Sequence, residues 1–232
     1  VSASAQVVAG ITVLERGIEA CEAQERILAA RGWRDDFLGD SLHEQYDTAL
    51  NNGTVALVGG KHGGWVRCTA GVGNGDYGVL ILGSVGAPEY YTLDIDYGWE
   101  QTWRMELDSV TNINAGALAF EWTNQYRIFC GLRTDIHATN WIIRCINAAG
   151  NSFTDTGVAA DTDPHVHWMV AYPTLTGHRV DYFLDGALIG SHTTNIYNGF
   201  LHPMLWCVNR GGSGTDRIAE FDYWDVIPKV LA

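Results

Sequence analysis

Among the side chains able to do chemistry, the histidines come first. His165 and His167 form an H-x-H pair. Alternate residues of a strand share one face, so both imidazoles can reach one metal ion. His178, His192 and His202 are further candidate ligands in the same part of the chain. No acidic residue stands at a diagnostic offset, and the default for such a pair is a hydrogen-bonded or solvent-facing histidine. GVGNGDYG carries G-x-G-x-x-G at Gly73, Gly75 and Gly78, but it runs from strand to strand. With no helix following, it offers no helix N-terminus to a pyrophosphate and reads as a loop. Gly60-Lys61 lacks the Ser or Thr that follows the lysine of a phosphate loop, and there is no G-x-S-x-G nucleophile elbow.

The elements that must position any such group are strands. The 232 residues include 27 Gly, 9 Trp and 10 Tyr with 18% charged residues, the balance of a turn-rich β protein. A chain of this length buries roughly 70% of its unfolded surface and needs no disulfides to do so. From Trp33 onward, thirteen short apolar runs separated by turn clusters read as strands, among them 90–95, 125–130, 140–146 and 166–172. No helical period intervenes, so antiparallel sheets packed face to face are expected, as a sandwich or jelly roll. In VDYFLDGALIGSHTTN, Val180 to Asn195, the Asp185-Gly186 pair between apolar runs predicts a hairpin on a type I′ turn.

Residues 5–31 differ from the rest and read as one helix, capped by Ser4 and stopped at Arg31-Gly32. Val7, Ile11, Leu14, Ile18, Cys21 and Leu28 follow alternating steps of four and three, broken only at Glu25. Such a helix either lies on its own domain or meets a second helix; the 3.5-residue seam favours the latter. It therefore predicts a docking or oligomerisation segment, 1–32, ahead of a β domain, 33–232. The expected assembly is a homo-oligomer, with a trimer favoured, or attachment to a larger particle.

The net charge of −13, from 14 Lys and Arg against 27 Asp and Glu, argues against a nucleic-acid partner. Five widely spaced cysteines with no CxxC pair exclude zinc and thioredoxin-like readings, and Cys68, Cys130, Cys145 and Cys207 fall in strand-like runs as core thiols. That usage, with no signal-peptide pattern, predicts synthesis in a cytoplasm. No run approaches the roughly 20 apolar residues of a membrane span, and no membrane partner is expected.

Five stretches in order, DDFLGDSL (35–42), TVALVGGKHGGWVRCT (54–69), HVHWMVAY (165–172), VDYFLDGALIGS (180–191) and AEFDYWDVIP (219–228), carry a resemblance. Together they resemble the concanavalin A-like lectin and glucanase jelly roll. More narrowly, they look like the laminin-G-like domains of bacteriophage virion proteins. The resemblance implies a mainly β, antiparallel two-sheet jelly-roll sandwich following the N-terminal α-helix.

It also implies sites. Glucanases of this fold carry Glu-x-Asp-x-Glu on one strand, which sets a nucleophile beside an acid. The nearest match, LDIDYGWE at 93–100, supplies Asp94 and Asp96, but Gly98 replaces the second Glu and Glu100 lies two residues too far. A non-enzymatic protein is therefore expected. The family's cation site, tying first strand to last, would fall on Asp35, Asp36 and Asp222, with Ca2+ as the ion. Sugar contacts of this fold use loop aromatics, for which Trp99, Trp122, Tyr126, Trp141 and Tyr197 are the candidates. The reading implied overall is a phage virion surface protein of capsid-decoration or head-fibre type, partnered by capsid proteins and presenting a lectin-like domain to cell-surface glycans. The alternative is a carbohydrate-binding module or a polysaccharide hydrolase or lyase.

Overall fold

The computed structural model describes residues 33–61, 63–83, 93–212 and 214–228. The chain divides into two units, Val1–Gly32 and Trp33–Ala232, and the described residues belong to the second. The helix read over 5–31, with its seam from Val7 to Leu28, lies outside the described residues.

Among the described residues fifteen strands build two antiparallel sheets. β1 is Trp33–Asp35, β2 Tyr46–Asn51, β3 Thr54–Leu57, β4 Val66–Ala70 and β5 Tyr77–Leu82. β6 is Trp99–Leu107, β7 Ile113–Phe120, β8 Arg127–Arg133, β9 Asn140–Asn147 and β10 Gly150–Ala159. β11 is His165–Thr174, β12 Gly177–Leu184, β13 Ala187–His192, β14 His202–Asn209 and β15 Arg217–Pro228. One sheet of eight strands runs β13-β12-β11-β6-β15-β4-β3, with β1 pairing β15 beside this path. The other, of seven, runs β10-β9-β8-β7-β14-β5-β2. This is the expected two-sheet jelly-roll sandwich.

The sequence of β6, WEQTWRMEL, shows why a strand forms here: every second side chain is buried, and the others are half-exposed. Trp99, Trp103 and Met105 point into the space between the sheets, where Trp224, Phe221 and Tyr182 join them in the main core. A fully buried side chain of this size stabilises by roughly 1.5–3 kcal/mol, and interdigitation of the two inner faces fixes the register. Gln101 shares the inward face, fully buried, and its amide oxygen accepts the Trp224 indole N–H at 3.1 Å. The Asp-Gly hairpin forms as predicted between β12 and β13, with Asp185 at φ 49° and Gly186 at φ 82°. Asp185 also braces the neighbouring strand, because its Oδ1 accepts the Val166 N–H at 2.9 Å.

Two expectations fail for identifiable reasons. Of the run 90–95, the described part is no strand: Leu93 makes an isolated bridge to Leu201, and residues 95–97 form a turn. Conversely, β2 and β10 are present where no strand was expected. Both are edges of the seven-stranded sheet, paired on one side only. An edge strand needs no apolar run on both faces, and GNSFTDTGVA alternates half-buried and exposed throughout.

Candidate functional site

The face of the seven-stranded sheet turned away from the main core is not a solvated polar surface. In β8, RIFCGLR, the alternation sends Ile128, Cys130 and Leu132 into the sandwich. Arg127, Phe129, Gly131 and Arg133 therefore share the outer face. Phe129 joins Leu118, Ile142, Met204, Trp206 and Val79 in a second apolar cluster there. Register continues one row across the whole sheet. Phe153 lies opposite Arg144, Arg144 opposite Phe129, Phe129 opposite Leu118, Leu118 opposite Met204, and Met204 opposite Ile81.

At the centre of this face two glycines sit side by side, Gly116 of β7 against Gly131 of β8. Their φ angles are 151° and 152°, outside the range L side chains favour. A Cβ on Gly131 would stand 2.3 Å from the Ala115 carbonyl oxygen and 2.9 Å from Phe129 Cζ. The two backbones therefore meet directly, both glycines buried, and beside them the Phe129 and Trp206 rings meet edge to face at 5.6 Å. An open cavity of about 270 Å³ lies on the same sheet, walled by Trp206, Leu118, Phe120, Trp122, Tyr77 and Arg127.

Trp122 reaches the cavity because the preceding residue builds its loop. Glu121 accepts the Thr123 N–H at 2.6 Å and the Asn124 N–H at 2.7 Å, and its own N–H bonds the Tyr126 carbonyl at 2.9 Å. The Trp122 ring then packs edge-on against Phe120 at 5.0 Å. Tyr126 and Tyr197 pack against each other at 4.8 Å.

Charge is concentrated on the same face. Arg133, 3% exposed, grips Asp135 through Nε at 3.1 Å and Nη2 at 2.7 Å, and its guanidinium lies over the Trp206 ring at 5.5 Å. Arg210 stands 3.7 Å from the same carboxylate. Arg127 lies over Phe120 at 5.5 Å, and Arg144 Nε donates to Asn151 at 3.0 Å; neither has a carboxylate partner among the described residues. Burial first, then repulsion from Arg133 and Arg210, pushes Arg127 down to about 10. Arg144 is likewise pushed down to about 10 by burial and by Arg133 and Arg127. Burial acts to raise Asp135, yet Arg133, with Arg210, holds its carboxyl below the ordinary value. Trp122 Nε1, Trp206 Nε1, Arg127 Nε and Arg133 Nη1 meet no acceptor among the described residues. Indole and guanidinium groups only donate, and these four atoms are buried beneath the face.

The sequence-predicted sugar aromatics divide. Trp122 walls the cavity; Tyr126 and Tyr197 are half-buried loop residues outside its lining, and Tyr197 packs against the main core. Trp99 and Trp141 are corrected: at 0% and 1% exposure they fill the main core and meet no ligand. The cation reading of Asp35, Asp36 and Asp222 is also corrected. β1 does pair with β15, as a clamp from first strand to last requires. But Asp222 is held by Arg104 at 2.9 Å and Asp35 caps the Phe37 N–H at 2.7 Å, so an internal cation stands where calcium was expected. Among the described residues no group of three or more His, Cys, Asp or Glu is placed to hold a metal.

The H-x-H pair is likewise structural. His165 is held by Asp185 at 2.6 Å and Asp161 at 2.9 Å, while His167 is fully buried against Tyr182. Asp94 and Asp96 lie in the turn before β6, where Asp94 caps the Asp96 N–H and Asp96 bonds His178 at 2.7 Å. Ser152 and His192 approach at 2.9 Å, but His192 Nε2 also lies 2.7 Å from the Thr194 carbonyl, so Nε2 is a donor and cannot take the serine proton. Cys68, Cys130, Cys145 and Cys207 are free, buried thiols. What sequence reasoning missed is the arginine set and the glycine pair; the available signal was the alternation Arg127, Phe129, Gly131, Arg133.

No family model matches the chain, and no curated protein matches it. Solved structures do. A β-1,3-1,4-glucanase (lichenase) from a mouse hindgut metagenome matches with TM-score 0.59 at 15% identity, over 84% of this chain and 98% of that one. The carbohydrate recognition domain of Emp46p matches with TM-score 0.55 at 11% identity, over 84% and 95%. The endo-β-1,4-glucuronan lyase of Trichoderma reesei matches with TM-score 0.55 at 10% identity, over 85% and 95%. The chain has the concanavalin A-like jelly-roll fold. The expectation of a non-enzymatic protein is corrected by the same comparison. Two of these three neighbours are enzymes, so the interrupted Asp94–Asp96–Glu100 motif removes one catalytic arrangement and leaves the class open.

Proposed function

We propose that the β domain engages carbohydrate, holding a polysaccharide across the outer face of the seven-stranded sheet. One observation carries the reading: an open cavity of about 270 Å³ in which the aromatic walls Tyr77, Phe120, Trp122 and Trp206 stand beside the guanidinium of Arg127 and the amide of Gln125. A sugar presents apolar C–H faces to aromatic rings and oxygen acceptors to donors, which matches both halves of that lining. Carbohydrate is also the ligand or substrate class of the lichenase, the Emp46p domain and the glucuronan lyase, which supports the same class here. The virion-surface role and capsid partners, implied by the resemblance, and the trimer, read from residues 5–31, draw no support from the described residues or from the comparisons.

A second reading, cleavage of the bound chain, is favoured by the titratable groups near Arg127. Phe120, opposite Arg127, lies opposite His202 on β14. Glu121 acts electrostatically on both Tyr197 and His202. The experiment is a panel of soluble polysaccharides, followed by calorimetry for binding and by assays for reducing ends and unsaturated products. Binding of at least one polysaccharide, weakened roughly tenfold or more by Trp122→Ala, is the expected result. A folded wild type that binds none of the panel, or a Trp122→Ala protein that binds as well as wild type, overturns the reading.

A further inference from the structure

The strongest unexplained feature of the molecule is electrostatic. A chain of net charge −13 gathers four of its 14 basic side chains around one sheet face, Arg127, Arg133, Arg144 and Arg210. Asp135 is the one carboxylate that acts on Arg127 and Arg144 there. Elsewhere the described cations are matched. Lys61 and Arg67 close on Glu220, Arg104 on Asp222, and Arg179 on Asp181. Like charges held together without counter-charges destabilise a fold, so an arrangement that keeps them implies something anionic to meet.

We infer that the polysaccharide held on this face is anionic, a chain bearing carboxylate or sulfate groups, with Arg127 and Arg144 as its charge-recognising residues and Arg133 as a buried anchor beneath it. The inference rests on the glycan reading of the face. Geometry supports it in three ways. Arg127 and Arg133 lie six residues apart on one strand face, about 20 Å at the usual rise per residue, with Phe129 and the bare Gly131 between them. Arg144 stands across from Phe129 on the adjacent strand, with the half-exposed ring of Phe153 beyond it. A ligand crossing this surface therefore meets the guanidinium groups of Arg127 and Arg144 and the ring of Phe153, above a buried layer of Phe129 and Arg133. Finally, the planar guanidinium presents paired N–H donors to a carboxylate or sulfate, and Arg133 is 97% buried by its 3% exposure yet leaves Nη1 without an acceptor.

An acidic protein surface is a poor match for a concave face walled by aromatic rings. Nucleic acid is disfavoured by the −13 charge of the chain.

The test uses one sugar backbone in two charge states. An oligogalacturonate and its methyl ester are titrated into the full chain by calorimetry, with a κ-carrageenan oligosaccharide as the sulfate probe and a single-stranded oligonucleotide as the non-sugar polyanion. The expected result is that oligogalacturonate, the carrageenan fragment, or both bind at least tenfold more tightly than the ester. Arg127→Gln and Arg144→Gln should each remove about tenfold of that affinity. Both variants relieve repulsion and lose no ion pair, giving up only the Asn151 bond of Arg144 and the Phe120 contact of Arg127, so they should melt close to wild type while affinity falls, which separates a recognition role from a structural one. Equal binding of acid and ester, unaffected by either variant, overturns the anionic preference while leaving the glycan site standing. Oligonucleotide binding as tight as the sugar acids overturns glycan selectivity. No binding of acid, ester or carrageenan overturns this inference; the glycan reading itself falls only if the neutral polysaccharides of the wider panel fail as well.

Discussion

His167 should set the acid limit of this fold. Its ring is fully buried, stacked on Trp103 at 5.3 Å and 7°, with Trp141 edge-on at 4.9 Å and Nδ1 bonded to the Tyr182 hydroxyl at 2.7 Å. Burial, followed by the nearby His165 against a weaker opposing pull from Asp185, pushes it from 6.5 down to about 3. The unfolded chain takes up this proton below about pH 6.5, and the folded chain refuses it until about pH 3. Across that window the unfolded state binds more protons, so stability is complete above it and falls as pH falls. Between pH 7 and pH 4 the span is about 2.5 units at roughly 1.4 kcal/mol each, or about 3 kcal/mol. The perturbation is His167→Gln, which keeps a polar partner for Tyr182 and does not titrate. Urea unfolding followed by tryptophan fluorescence at pH 7, 6, 5 and 4 measures both proteins. Wild type should lose about 3 kcal/mol more than the variant over that range. Parallel pH profiles for the two proteins would refute the reasoning.

Gly131→Ala should cost about 2 kcal/mol or more, because φ is 152° and the new methyl would stand 2.3 Å from the Ala115 carbonyl oxygen; the urea midpoint reads it. Asp222→Asn should cost only about 0.5 kcal/mol, since its partner Arg104 is 38% exposed. Melting of the wild type should be the same in EDTA and in calcium, and a calcium-dependent rise lost in Asp222→Asn would restore the cation site. Burial pushes Cys68 up to about 12 and also raises Cys130, Cys145 and Cys207, so a thiol reagent should leave all four unmodified until the domain is denatured. Mass spectrometry after a timed pulse checks this residue by residue.

The fold was legible where local pattern and global position agree. β6 alternates large apolar and polar residues because one face of a central strand meets the core, and the Asp185-Gly186 turn is dictated by two residues that accept positive φ. Legibility stopped at the sheet edges, where β2 and β10 pair on one side and have little reason to be apolar. It also stopped at Leu93–Asp96, whose Asp-x-Asp spacing imitates a strand but serves an Asx turn. The site was less legible than the fold. Trp122 was found through its polar loop. Trp99 and Trp141 were misplaced because tryptophan beside Asn and Glu looks the same in a loop and at the end of a core strand. The arginines were missed because β7 pairs with β14, so Arg210 is brought beside Arg133 by strand order and not by sequence proximity. Only Arg127 and Arg133, three pleat repeats apart with Phe129 and Gly131 between them, belong to one readable segment.

The paired glycines also bear on how such a surface changes over generations. Any replacement of Gly116 or Gly131 adds a Cβ into a neighbouring carbonyl, 2.3 Å away in both cases, so selection for a folded chain removes it before its effect on ligand choice is tested. Arg144, Trp122 and Phe153 belong to the same sheet or its loops and are half-buried or exposed, so their replacement puts no new atom against the backbone. Drift in ligand preference is thereby channelled to these positions, and related chains are expected to share the glycine pair while differing in surface charge and aromaticity.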